Sequence, residues 1–181
     1  MIKPTDAISI GINRALDFRG RSRRSEFWWF MLFGMLVVLT AISLDDGLSL
    51  PTLGVLPDDG FPTNMKQSLF VTFRITNGPL ETVAGLLLFI PLFSLMVRRL
   101  HDVGLSGYWA IAYYALGFFS GPTLGKIMAG VEAQDETIFT DSSVVGFALV
   151  NTFAAVLYLI FMTRDSDRAP NRYGPSPKYN N

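Results

Sequence analysis

Four long stretches of this chain contain no Asp, Glu, Lys, Arg or His, and they constrain its fold more than any other feature. They contain 18, 16, 23 and 22 residues and cover positions 27–44, 82–97, 103–125 and 142–163. A helix rises about 1.5 Å per residue and about 20 residues cross a bilayer, so each stretch can span once flanking basic side chains extend to the interface. The sequence therefore predicts an all-α membrane protein with four transmembrane helices, near 27–44, 82–99, 106–125 and 143–163.

The composition agrees with a membrane protein. Of the 181 residues, 50% are hydrophobic and 17% are charged, whereas about a quarter of the residues in a soluble domain are charged. The length suits one domain, so we predict a single membrane domain over 1–181, with a polar tail at 164–181. The chain has no Cys and one His, which argues against disulfides, thiolate metal sites and a protein-built zinc centre, and no pattern indicates a cofactor.

Two segments outside the predicted spans have patterns of their own. Before the first span, TDAISIGINRALDF places apolar residues at helical spacing after a Thr5/Asp6 cap, which predicts a short amphipathic helix at the membrane interface. Between the first two spans, 45–81 is rich in Gly, Pro and Asp, and its piece SLFVTFRIT fits either an amphipathic helix or a strand. The acidic pairs at 45–46 and 58–59 miss the EF-hand spacing, so we interpret them as solvated loop acids.

The basic residues predict which side of the membrane each end occupies. With four spans, the N-terminal segment, the 98–107 turn and the tail from Arg164 lie on one side, and together they hold twelve of the fifteen Lys and Arg residues. Nine of the fifteen acidic residues fall on the other side. The positive-inside rule makes the basic side cytoplasmic, so we expect both termini in the cytoplasm.

Three polar motifs flank the spans on that side. They are FRGRSRRSEFWWF at 18–30, RRLHDVGLSGYW at 98–109 and NRYGPSPK at 171–178. In these motifs and their order, the chain resembles a bacterial inner-membrane family known as domain of unknown function 805, which carries a GRxxRxEFW entry, an RRLHDxGxSGWW turn and an NxYGxxP tail. Tyr108 stands where the family often has Trp. The resemblance implies a multi-pass topology in the bacterial inner (plasma) membrane, and it implies no activity.

Charged residues of these motifs crowd the ends of the spans. Glu26 and Asp102 each lie at a span boundary beside arginines, where an unpaired ion would be strongly destabilising. We therefore expect Glu26 to pair with an arginine of the 98–99 pair, and Asp102 to pair with Arg21 or Arg24. The candidate polar cluster comprises Arg21, Arg24, Glu26, Arg98, Arg99, His101, Asp102, Asn171 and Tyr173.

Four interpretations of this cluster stay open at the level of sequence. It is a structural clamp, or a binding site in which surplus arginines engage an anionic phospholipid headgroup, a phosphorylated ligand or a protein partner. A general-base role for His101 lacks a nucleophile, so we predict no catalytic residue and no enzyme, and His101 fits better as a turn residue bonded to a backbone carbonyl. The alternative is a subunit of a small-solute transporter or pore lined by Ser94, Asn151 and Thr152, although the spans lack ionisable residues.

Span three and the tail add two expectations. Gly117, Gly121 and Gly125 recur at every fourth position, which predicts either close helix packing or a helix break at Pro122. We favour packing within the bundle over a homo-oligomer. The Pro-rich tail is expected to fold back on the 98–107 turn and close the cytoplasmic face.

The same patterns define the expected partners. Membrane lipids, anionic phospholipid among them, are the first class, and a protein partner or a second copy of the chain is the other. No pattern indicates nucleic acid, because the basic residues are confined to membrane boundaries.

Overall fold

The structure, a computed structural model, describes residues 2–48, 78–134 and 136–179. Apart from one bridge between Asn171 and Gly174, these residues contain no β-structure, which confirms the all-α prediction. Their helices are α1 (Pro4–Asn13), α2 (Arg24–Gly47), α3 (Pro79–Asp102), α4 (Tyr108–Phe119), α5 (Gly121–Glu132), a 3₁₀ helix (Glu136–Thr140) and α6 (Ser142–Thr163).

Three of these helices are long and apolar enough to cross a bilayer. They are Arg24–Asp45 within α2, Pro79–Asp102 as α3, and Ser142–Thr163 as α6. They correspond to the first, second and fourth predicted spans. Each of the first two extends beyond its uncharged stretch, because flanking charged residues join the terminal turns. Glu26, for example, lies in the first turn of α2, where a negative side chain is favoured by the helix dipole.

The third predicted span, 106–125, is not a continuous helix. Helix α4 ends at Phe119 and α5 begins at Gly121, and each has 12 residues, about 18 Å, which is too short to cross alone. The break follows from the sequence around it. Pro122 lacks a backbone N–H and takes the second position of a new helix, where no hydrogen bond is lost. Of the two interpretations of the glycine spacing, the structure supports the break at Pro122.

The N-terminal helix forms, although its start differs from the prediction. Helix α1 begins at Pro4, with Lys3 preceding it and no side-chain cap, so Thr5 and Asp6 lie inside the helix and the predicted cap is wrong. A proline in the first turn has its backbone angle already set for a helix, which accounts for this start. Helix α1 packs on α2, where Gly11 faces the Phe30 ring; Ala7 is buried and Ile12 is exposed. That α1 lies at the membrane interface stays a prediction.

Replacing Gly11 with Val should detach α1 from α2. A Cβ on Gly11 would overlap the buried Phe30 ring, whose Cε2 would be 2.5 Å away, so we expect a loss of about 1–3 kcal/mol in stability. Thermal unfolding in detergent measures this loss. The control is Gly117→Val, because a Cβ at Gly117 has no described neighbour within 4 Å. Equal melting temperatures for both variants would contradict this packing of α1.

At the end of α2, Asp45 ties two helices together. Its carboxylate accepts hydrogen bonds from the backbone N–H groups of Leu80 (3.2 Å) and Glu81 (2.8 Å), in the first turn of α3. Such a carboxylate satisfies N–H groups that a helix leaves without partners. Asp45 is buried, so its interpretation as a solvated loop acid is wrong. The pair at 58–59 and the piece SLFVTFRIT lie outside the described residues.

The apolar core lies at the opposite end of α2 and α3. Helix α3 is central there, because its last two turns are buried between α2, α4 and α6. A single cluster of fully or nearly fully buried side chains fills this region and comprises Phe27, Phe30, Leu95, Met96, Val97, Leu100, Ala110 and Met162. The polar motifs are therefore placed directly against the best-packed part of the protein.

Candidate functional site

The three polar motifs meet at one end of the helices, around Asp102 at the end of α3. Its side chain is fully buried, and each carboxylate oxygen faces a different arginine. Oδ1 accepts from Nε of Arg21 at 2.9 Å, and Oδ2 accepts from Nη1 of Arg99 at 2.5 Å. We call Arg21, Arg99 and Asp102 the clamp. Of the two predicted partners of Asp102, Arg21 and Arg24, the structure shows Arg21.

Arg21 places all five of its N–H groups on acceptors within the protein. Besides Oδ1 of Asp102, they donate to the backbone carbonyls of Asp102 (3.2 Å), Asp167 (2.7 Å), Ala169 (3.0 Å) and Gly174 (3.2 Å). The guanidinium therefore joins the segment before α2, the end of α3 and the tail after α6. Such use of the planar fork, with five donors in fixed directions, is not available to a lysine.

Arg99 fixes the end of α6. Its Nε donates to the carbonyl of Met162 at 3.4 Å, and its Nη2 donates to the carbonyl of Arg164. The last carbonyls of a helix have no partner inside it, so a buried cation is favoured there by hydrogen bonding and by the helix dipole. Trp28 adds a hydrogen bond from α2 to the carbonyl of Met162 at 3.2 Å. Together, the clamp and Trp28 thus connect α2, α3 and α6.

Arg98 and Glu26 do not pair as predicted. Among the described residues, no ion pair joins Glu26 to Arg98 or Arg99, and Glu26 instead accepts the hydroxyl of Ser22 at 2.8 Å. Arg99 is instead directed at Asp102 and the end of α6. Arg98 is fully buried beneath the N-terminal segment, where Nη2 donates to the carbonyl of Arg14 at 3.4 Å.

The tail docks on the clamp through a turn at Asn171–Gly174. The Asn171 side-chain amide donates to the carbonyl of His101 at 2.9 Å and its oxygen accepts from the backbone N–H of Tyr173, while Gly174 has a φ of +123° that favours glycine. The Tyr173 ring stacks on His101, with ring centroids 3.8 Å apart. The prediction that the tail folds back on the 98–107 turn is confirmed.

His101 has a positional role in this arrangement. Its Nδ1 lies 3.2 Å from the carbonyl of Gly20, so that nitrogen must carry a proton and donate. Both oxygens of the neighbouring Asp102 face arginines and not the imidazole. The bond to a backbone carbonyl agrees with the prediction, but His101 lies in the last turn of α3 and is not the turn residue that was predicted.

Arg24 lies outside the clamp, on its exposed side. Its side chain is 52% exposed and its Nε is 3.9 Å from Asp165. Asp165 also accepts from Nζ of Lys178 at 2.5 Å, and this hydrogen bond lowers the Asp165 pKa to about 2. Further exposed arginines surround the clamp in the adjoining segments. We call this set the rim; it comprises Arg19, Arg24, Arg164, Arg168 and Arg172.

The predicted glycine stripe does not form one helical face. Gly117 lies in α4, whereas Gly121 and Gly125 lie in α5, so the break at Ser120 divides the stripe. The polar residues suggested for a solute path are also separate. Ser94 donates to the carbonyls of Arg14 and Asp17 near the clamp, while Asn151 donates to Ser120 at 3.2 Å.

One feature of the structure had no signal in the sequence. An apolar groove of about 240 Å³ lies between α4 and α6, with α3 as its floor. Helix α6 is apolar on all sides, so its periodicity does not identify the face that lines a groove. Arg164 was also missed as a site residue, because its position after the last span marked it only as a basic flanking residue.

Comparison with known proteins agrees with these motifs. Residues 15–175 match a family model described as "Protein of unknown function (DUF805)". Inner membrane protein YhaI of Escherichia coli K12 is 25% identical over 166 residues, which cover 91% of this chain and 88% of YhaI. Inner membrane protein YhaH of the same organism is 30% identical over 98 residues, 54% of this chain, so the match spans about 64% of the length of YhaH. No solved structure matches the chain.

Proposed function

The chain belongs to the DUF805 family of proteins of unknown function, and from that premise we propose that it is a four-span inner-membrane protein that binds an anionic ligand. The ligand is a phospholipid headgroup, a phosphorylated molecule or an acidic segment of a partner protein. The protein is proposed to be non-enzymatic, with its function residing in the face that holds both termini. Three steps support this proposal: the path of the chain, its charge and the division of its arginines.

The path of the chain supports a fourth crossing. The start of α2, the end of α3 and the end of α6 all meet at the clamp, so α6 must begin at the far end. The segment from 103 to 141 therefore runs from the clamp end to the far end. Together α4 and α5 provide 24 helical residues, about 36 Å, which is enough for a bilayer core of about 30 Å.

Charge supports a cytoplasmic position for the clamp end. The segments that meet there hold twelve of the fifteen Lys and Arg residues. Because basic residues are retained on the cytoplasmic side, we propose that both termini face the cytoplasm.

Labelling of single cysteines tests this topology, and the chain has no native Cys to remove. The exposed positions Tyr108, Phe139 and Arg168 serve as sites. In spheroplasts, a membrane-impermeant maleimide should label Phe139→Cys only, and Tyr108→Cys and Arg168→Cys should react only after lysis. Labelling of Tyr108→Cys and Phe139→Cys from the same side would contradict the fourth crossing. The reverse pattern at all three would invert the orientation.

The division of the arginines is the observation that carries the binding proposal. Arg21, Arg98 and Arg99 are buried, and the donors of the clamp arginines are directed at acceptors inside the protein. The rim arginines surround the same end with exposed side chains. Exposed guanidinium groups at headgroup depth attract phosphate, at about 1 kcal/mol for each basic residue near an anionic surface. The clamp therefore holds the site together and the rim provides the contacts.

Lipid retention tests the binding proposal. Native mass spectrometry of the detergent-purified protein should detect anionic phospholipid at least about fivefold more strongly bound than phosphatidylcholine of the same chains, and rising salt should reduce the difference. The double variant Arg24→Gln/Arg172→Gln should weaken this preference. Lys126→Gln, at the far end, is the control. Equal binding of both lipids at all salt concentrations, with no other anionic adduct retained, would contradict the proposal.

A further inference from the structure

The geometry points to a specific phospholipid site, in which one acyl chain lies in the groove between α4 and α6 and the anionic headgroup contacts Arg164. The inference rests on the proposed function, since it names the ligand and the location that the rim alone leaves open. Its basis is the shape of the groove, its position relative to the membrane and the charge at one of its ends.

The groove has an apolar lining and a size that suits hydrocarbon. Its volume of about 240 Å³ exceeds the roughly 150 Å³ of an apolar cavity that admits benzene. Among the residues that the structure describes, no Asp, Glu, Lys, Arg or His side chain lines it. Its floor and two walls are formed by Met96 and Leu100 of α3, Tyr113 and Leu116 of α4, and Phe153 and Leu157 of α6.

The position of the groove favours a lipid over a soluble ligand. Helices α3 and α6, which form the floor and one wall of the groove, are both candidate spans, so the groove opens sideways into the hydrocarbon of the bilayer. A groove left empty would lose dispersion contacts along its whole lining. A flexible acyl chain fills such a space, whereas a polar solute would lose its hydration there and find hydrogen-bonding groups only on Trp109, Tyr113 and Tyr158 among the lining side chains.

One end of the groove lies at headgroup depth. Trp109, at the start of α4, lines this end and is 51% exposed, as is usual for Trp at a membrane interface. Phe161 lines the same end on α6, and Arg164 follows three positions later, one turn further toward the clamp. A basic side chain therefore stands where the headgroup of a lipid in the groove would lie.

Arg164 is held in place while its charge stays accessible. Its backbone carbonyl accepts from Arg99 of the clamp, which fixes the position of the residue. Its side chain is 59% exposed, and its ion pair with Asp167 is long, with Nη2 and Oδ1 3.6 Å apart, beyond an ordinary hydrogen-bond distance. The clamp would thus orient an arginine for phosphate without contacting the lipid itself.

Two pairs of matched variants test this site, with dioleoyl phosphatidylglycerol and dioleoyl phosphatidylcholine as probes in native mass spectrometry. Ala154→Trp fills the groove, and Ala155→Trp makes the same change one position along α6, outside the lining. Arg164→Gln removes the proposed headgroup contact, and Arg168→Gln removes an exposed rim arginine in the tail. Ala112→Trp fills the groove from the opposite wall and serves if Ala154→Trp fails to fold.

We expect Ala154→Trp to weaken the binding of both lipids about tenfold, and Ala155→Trp to leave the binding of both unchanged. Arg164→Gln should weaken the binding of phosphatidylglycerol alone, by about fivefold, and Arg168→Gln should have a smaller effect on that binding. Unchanged lipid binding in both groove variants would overturn the inference, as would equal effects of Arg164→Gln and Arg168→Gln. In either case the proposed function survives if phosphatidylglycerol is still preferred and the rim variants reduce that preference. Loss of a dimer in the groove variants, with lipid binding intact, would assign the groove to a second copy.

Discussion

Replacing Asp102 with Asn should destabilise the protein by roughly 3–5 kcal/mol, because it leaves two buried guanidinium groups without a counter-ion. Asp102 contacts both Arg21 and Arg99, at 2.9 and 2.5 Å, and its side chain is fully buried. An Asn oxygen accepts from one arginine, and its amide then faces the other as a second donor. The destabilisation therefore combines a lost ion pair with an unpaired buried charge.

Thermal or detergent-induced unfolding of the purified protein measures this effect. The matched control is Asp165→Asn, which removes a carboxylate from an exposed pair with Lys178, and exposed pairs contribute about 0–1 kcal/mol. If Asp102→Asn were no less stable than Asp165→Asn, then the carboxylate between the two arginines would not be what stabilises this end of the protein.

Arg21→Lys is the second change with a large expected effect, and it should release the tail. A lysine keeps the charge and loses the fork, so hydrogen bonds to the carbonyls of Asp167, Ala169 and Gly174 cannot all be made. We expect a loss on the order of 3 kcal/mol. Trypsin should then cleave after Arg168 and Arg172 faster in the variant than in the parent.

Arg19→Lys is the control for this measurement, because it makes the same exchange on an exposed rim side chain nearby. Its tail should be cleaved at the parental rate. Equal tail cleavage in Arg21→Lys and Arg19→Lys would mean that the tail is held by the Asn171 turn and the stacking of Tyr173 on His101, and not by Arg21.

Buried charge at a membrane boundary has a physical consequence for how this protein is built. The clamp holds two guanidinium groups and one carboxylate in a place where each ion loses much of its hydration. Backbone carbonyls from the end of α3, the end of α6 and the tail supply the remaining acceptors. Chain segments far apart in sequence must therefore come together before the arginines are satisfied, which links closure of this end to folding of the whole bundle.

The sequence was sufficient to predict which motifs meet, since membrane spans return the chain to the same side and unpaired charge is unfavourable there. These two conditions predict that Asp102 pairs with Arg21 or Arg24, of which the structure shows Arg21, and that the tail docks on the turn at 98–107. They do not identify the partner of Glu26, because Arg99 could pair either with that carboxylate or with the carbonyls at the end of α6. Only the position of Met162 and Arg164 beside Arg99 decides between them.

The break in the third predicted span was also beyond reach of hydropathy. An uncharged stretch of 23 residues predicts a span by its length alone. That prediction takes no account of whether Gly or Pro residues within the stretch interrupt the helix. Where the glycines and Pro122 concentrate, helix α4 ends and α5 begins. The groove depends on that geometry, because α4 is a short helix set against α6. No residue pattern identifies such a space before the helices are placed.

The most direct test of the clamp is a double-mutant cycle between Arg21 and Asp102. Unfolding free energies of the parent, Arg21→Gln, Asp102→Asn and the double variant, measured in the same mixed micelles, give the coupling between the two side chains. We predict a coupling of about 2 kcal/mol, with the double variant more stable than the sum of the single losses implies. Additive losses, within about 0.5 kcal/mol, would contradict a clamp that joins these residues.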